Sequence, residues 1–67
     1  MYDDTVFNRL PGQPAHEAEF IGGPWDGRVE KVGDNLRRVA LPTQGEYRRQ
    51  DRLRLTKPHH IFWWRAT

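Results

Sequence analysis

"FIGGPWDGRVE", residues 20–30, sets three glycines and a proline between two apolar ends. Neither a helix nor a strand interior tolerates that density of permissive and φ-locked residues, so the chain turns here. Asp26-Gly27 is the usual signature of a type I′ hairpin, because glycine takes positive φ without steric cost. Gly22-Gly23-Pro24 reads as a widening of the same turn, with Trp25 folded over the open end of a sheet as a lid. The competing reading is an anion-binding nest of successive backbone N–H groups. No Gly-Lys-Ser/Thr follows and no helix begins there, so neither the P-loop nor the dinucleotide pattern is met.

Further turn signals recur at intervals of about ten residues, the spacing of a small all-β fold. They are "GDN" (33–35), "PTQG" (42–45) and "TKPHH" (56–60). Between them the sequence predicts strands over 17–21, 28–32, 36–41, 46–55 and 61–66. In the fourth, "RRQD" (48–51) offers an earlier end near Gln50. No segment sustains the i, i+3, i+4 apolar pattern of a helix. Short connections favour a meander in which each strand pairs its predecessor. The expected fold is a small antiparallel five-strand meander or partly closed barrel. Its predicted core is Phe20, Val29, Val39, Leu41, Tyr47, Leu53, Phe62 and Trp64. Val29 and Val32 break a period of two, which suggests a bulge near Lys31.

Ahead of this domain (16–67), residues 1–15 hold "RLPGQPA", and Pro11, Gly12 and Pro14 exclude a helix or central strand. An extended N-terminal arm is expected. Its apolar residues Val6, Phe7 and Leu10 predict that it packs, on the domain's own sheet or on another molecule. With 67 residues and no cysteine, the chain buries only about 60% of its unfolded surface and has no disulfide to compensate. Self-association through the arm or an edge strand is one remedy, and a partner is another.

The charges divide along the chain. Through Asp34 three cations face seven anions, and from Asn35 onward eight cations face two. Such asymmetry suggests a basic surface for an acidic partner, or acidic early strands lying beside basic late ones. No run of about 20 apolar residues is present, and Met1-Tyr2-Asp3-Asp4 is unlike a secretory leader. A cytoplasmic protein with no membrane partner is expected.

Catalysis and metal binding find little support in the residue types. The chain has neither serine nor cysteine, and Thr5, Thr43, Thr56 and Thr67 fall in arm, turns or terminus. Asp26 and Asp34 read as turn residues. Adjacent His59 and His60 point to opposite faces of a strand and His16 lies far off, so spacing argues for a polar lead-in to the last strand rather than a metal site. No enzyme, cofactor or metal is predicted.

The last third is more informative. An extended 46–55 strand would line Arg48, Gln50, Arg52 and Arg54 along one face. Beside it, "IFWWRA" (61–66) alternates Ile61, Trp63 and Arg65 against Phe62, Trp64 and Ala66, so one tryptophan is left at the surface. Exposed Trp beside Arg suits a protein hot spot, or base stacking with phosphate tracking. The bland alternative is arginine stems lying over aromatic rings for stability alone. A formal net charge of +2 is weak for a dedicated nucleic-acid binder.

The turn Phe20-Ile21-Gly22-Gly23-Pro24-Trp25-Asp26-Gly27-Arg28, the later Tyr47-Arg48-Arg49 and the terminal Trp64-Arg65 together resemble the small F-x-GG-P-x-DG proteins of actinobacterial viruses and their hosts. The resemblance covers about residues 17–66, and its specific part is the turn. Nine arginines against two lysines agree with a GC-rich genome. The resemblance implies a viral origin and a hairpin-rich fold, in a family largely of unknown function. The function expected is therefore a non-enzymatic virus-type protein that binds a host or viral protein. Trp25, Arg48, Arg52, Arg54, Trp63, Arg65 and Phe7 are the candidate contacts. A nucleic-acid-binding module and an accessory component of a viral particle are the alternatives.

Overall fold

The computed structural model describes residues 7–51 and 54–67. Five strands form one curled sheet, a half-barrel. They are β1 (Ala15–Ile21), β2 (Val29–Gly33), β3 (Arg38–Leu41), β4 (Gly45–Arg49) and β5 (His60–Ala66). No α-helix occurs among the described residues; a single 3-10 turn spans Gly23–Trp25.

The all-β expectation is met, whereas the antiparallel meander is not. The spatial order is β2-β1-β5-β4-β3, and β5 pairs antiparallel with β4 but parallel with β1. Composition explains the rearrangement. β5 reads HIFWWRA and is the most apolar strand, so a central place with both edges paired suits it. β2 (VEKVG) and β3 (RVAL) are short and carry Lys31 and Arg38, which suit sheet edges. Pairing β2 with β3 would instead leave β5 at an edge.

Alternation sorts the side chains. Ala18, Phe20, Phe62, Tyr47 and Val39 share the concave face and are buried. Val32, opposite His16, joins them, while Val29 lies on the outer face and is 52% exposed. The predicted bulge near Lys31 is absent: β1 and β2 pair in unbroken register from Ala15↔Gly33 to Glu19↔Val29. Leu41 and Trp64 pack partly buried against the core, and Leu53 lies outside the described residues.

The opening stretch is a turn, of a different type from the one predicted. Arg28 N–H donates to the Trp25 carbonyl at 2.9 Å across Asp26 and Gly27. Asp26 has φ −51° and ψ 128° and Gly27 has φ 82°, the pattern of a type II turn, in which only the second central residue needs positive φ. The 3-10 turn supplies the widening. Gly23, at φ 66°, lies so close to the Trp64 indole that an added Cβ would sit 2.4 Å from the ring.

Trp25 closes over the core, 5.4 Å from the Tyr47 ring and nearly parallel to it. It meets Phe20 edge-on at 5.2 Å. The Tyr47 hydroxyl accepts from Trp25 N–H and donates to the Gly22 carbonyl, each at 2.7 Å. Burial pushes that hydroxyl's pKa up, so it stays a donor. The Asp26 carboxylate takes the Gly22 N–H at 2.7 Å. Two amides near the tip of the turn are thus already bonded within the chain, against the anion-nest reading.

Residues 1–6, the first part of the expected extended arm, lie outside the described residues. From Phe7 onward the chain turns back on the domain. Phe7 is 1% exposed, its ring 6.1 Å from Phe20 and 5.9 Å from Trp25, and its carbonyl accepts from Gly33 N–H at the end of β2.

Tyr47→Phe keeps the ring and leaves the Trp25 N–H and the Gly22 carbonyl without their partner. A loss of about 1–3 kcal/mol is expected, measured by urea denaturation followed by circular dichroism, with little change in the folded spectrum.

Candidate functional site

The face opposite the core holds the aromatic-arginine surface. Along β5, Ile61 is buried, Trp63 is 48% exposed and Arg65 is exposed. Trp63 is flanked by Arg48 on β4 and by Ile21 on β1, its register partners. Its indole N–H donates to the Gln50 side chain at 3.3 Å. Arg65 stands opposite Glu46, and Arg38 on β3 stands opposite Arg48.

Two like charges directly across a sheet repel. Glu46 relieves this: its carboxylate accepts from Arg48 Nε at 2.6 Å and lies 3.5 Å from Arg38 Nε. Two guanidinium groups thus share one carboxylate, and Arg65 is its cross-strand register partner. A depression of about 330 Å³, lined by Gly45, Glu46, Arg48, Arg65, Ala66 and Thr67, adjoins them.

The seven predicted contacts are not brought together. Trp63, Arg48 and Arg65 share the outer face. Phe7 and Trp25, the latter 8% exposed, are core rings on the other side of the sheet. The alternation pattern did not reach them, because one lies in the arm and the other in a turn. β4 ends at Arg49, where "RRQD" bends the chain, so the arginine stripe is not built along one strand. Arg54 is exposed in the connection to β5, and Arg52 lies outside the described residues.

A second cluster lies where the inner face meets the end of β2. Asp34 follows β2 and is anchored by backbone: its N–H donates to the Pro14 carbonyl at 3.0 Å, and Arg49 donates to its carbonyl. Its Oδ1 meets His16 Nδ1 at 2.7 Å and His60 Nε2 at 3.0 Å. His60 is 4% exposed, whereas His16 and Asp34 are half-buried. Burial acts to raise the Asp34 pKa, but the hydrogen bonds and charges of His60 and His16 outweigh it and hold the carboxyl below the usual range.

Sequence reasoning missed this set. His16 and His60 approach only because β1 and β5 pair in parallel, and Asp34 reads as a turn residue. The adjacency of His59 and His60 was no obstacle, since His60 alone enters the cluster. It remains the first residue of β5, in line with a polar lead-in.

No known protein family, curated protein or solved structure matches this chain. Among the described residues no helix is long and apolar enough to cross a membrane.

Neighbouring residues on β5 give a direct test of the two faces. Phe62→Ala is expected to cost about 3–5 kcal/mol, comparable to the whole stability of so small a domain. Trp63→Ala is expected to cost about 1 kcal/mol, the scale of a cross-strand surface pair. Thermal and chemical unfolding of the two variants checks the contrast.

Proposed function

We propose that this chain is a small virus-type binding module, non-enzymatic, that engages a host or viral protein through the outer face of its sheet. The observation that carries the reading is Trp63, half-exposed at the centre of that face, with Arg48 opposite it and Arg65 two residues along its strand. Trp and Arg are the residue types that most often anchor protein interfaces. A flat indole offers apolar area at little entropic cost, and the guanidinium groups supply directional donors.

The electrostatics favour protein over nucleic acid as the partner. Arg38 and Arg48 both lie against Glu46, so phosphates would meet an acid among the arginines. Among the described residues the face also offers a single large ring, where strand-tracking surfaces stack successive bases on several. An acidic protein surface with an apolar notch fits better: the notch takes the indole, and carboxylates take Arg48 and Arg65. The motif resemblance to actinobacterial virus proteins directs the search toward bacterial host proteins and toward virion components.

The test is affinity capture from an actinobacterial lysate with immobilised protein, with and without nuclease, comparing wild type with Trp63→Ala. A discrete protein is expected that survives nuclease and is lost, by at least about tenfold, with Trp63→Ala, as a hot-spot truncation of about 1.4 kcal/mol or more implies. Equal capture by both forms would overturn the site. Recovery of nucleic acid alone, released by salt, would move the reading to the nucleic-acid alternative.

A further inference from the structure

The structure assigns to His16, Asp34 and His60 a binding site for a divalent cation of the zinc type. Two imidazole nitrogens and one carboxylate oxygen, contributed by β1, the end of β2 and β5, converge so that all three atoms lie within 4.8 Å of one another. This surface is distinct from the Trp63 face, and the inference does not depend on the binding function proposed above.

The donor set points to the metal. Hard cations such as magnesium and calcium take oxygen ligands, whereas imidazole with carboxylate suits zinc and its transition-metal neighbours. Around zinc, with bonds of about 2.0–2.1 Å, tetrahedral ligand atoms stand roughly 3.3–3.4 Å apart. The two nitrogens lie 2.7 and 3.0 Å from Asp34 Oδ1, so these separations need to open by roughly 0.3–0.7 Å to reach that geometry. Each imidazole now presents an N–H to the carboxylate. On binding, that proton moves to the other ring nitrogen or leaves, and the freed lone pair takes the metal.

Access and the further coordination positions are present. Asp34 and His60 open onto a cleft of about 180 Å³, where Asp51 adds a carboxylate and Arg49 a cation. Arg49 donates to the Asp34 backbone carbonyl and leaves Oδ1 to the histidines. On the other side His16 lines a cleft of about 360 Å³ together with His59. The His59 ring lies 4.9 Å from that of His16, and its buried Nδ1 has no hydrogen-bond partner among the described residues. Water entering by these clefts completes the shell.

Such a site would cross-link β1, the end of β2 and β5 more strongly than the present hydrogen bonds, in a chain without disulfides. The experiment uses the full chain with its affinity tag removed, and zinc as the probe. Competition against a chromophoric chelator is expected to give one zinc per chain. The melting temperature is expected to rise on zinc addition, and the side-chain nitrogen signals of His16 and His60 to shift together in the NMR spectrum. His16→Ala removes one ligand yet keeps the His60–Asp34 bond, so it folds; its zinc affinity is expected to fall by at least about tenfold. Asp34→Asn is expected to behave likewise. No zinc uptake by the wild-type chain, uptake undiminished in His16→Ala, or shifts confined to His59 would each overturn the assignment and leave the cluster as a hydrogen-bonded lock.

Discussion

β5 is hydrogen-bonded on both sides, to β1 in parallel and to β4 antiparallel, and the rest of the domain hangs on that double pairing. Without it the chain reduces to two separate hairpins, β1–β2 and β3–β4, each marginal in water by itself. With it, Phe20 stacks beside Phe62 at 5.1 Å and Tyr47 beside Trp64 at 4.8 Å, so the two hairpins share one aromatic core. The strand also has two working faces. His60, Phe62 and Trp64 look inward, and Trp63 and Arg65 look outward.

A single sheet in a 67-residue chain leaves one face open unless something covers it, and among the described residues the large core rings gather on the inner face. The glycine-rich turn folds Trp25 over the core, and the described part of the arm brings Phe7 in beside it. Large rings suit this task, since each buries on the order of 150–250 Å² with few rotatable bonds. The Tyr47 hydroxyl, bonded to both Gly22 and Trp25, ties the turn down from β4. The turn and the described part of the arm pack on one side, and Trp63 and Arg65 are exposed on the other.

The polar cluster at Asp34 marks the meeting point of the chain's separate parts. The Pro14 carbonyl, Arg49 on β4, His16 on β1 and His60 on β5 all bond to this one residue. It also provides the clearest case in which the charge division along the sequence is answered in space, an early acid against a late histidine. Within the arginine-rich half, Glu46 pairs Arg38 and Arg48 inside its own hairpin.

The local features were legible in the residues. Turn chemistry in "GGPWDG" and the spacing of the later Gly and Pro positions marked five strands, and alternation in "IFWWRA" separated Phe62 and Trp64 from Trp63. These follow from backbone sterics and the period of two, which act over a few residues. Strand order did not follow, because the parallel β1–β5 pairing is a contact between distant segments that no local signal encodes. With that pairing came the edge position of β2 and the meeting of His16, Asp34 and His60. Trp25 as a lid and Phe7 on the domain's own sheet were among the expected readings, drawn from turn chemistry and apolar content, since neither lies on a strand whose alternation could reveal its face. Local backbone chemistry thus dictates where the chain extends and where it turns, whereas strand adjacency emerges from packing at long range, since it depends on burying the most apolar strand between two others.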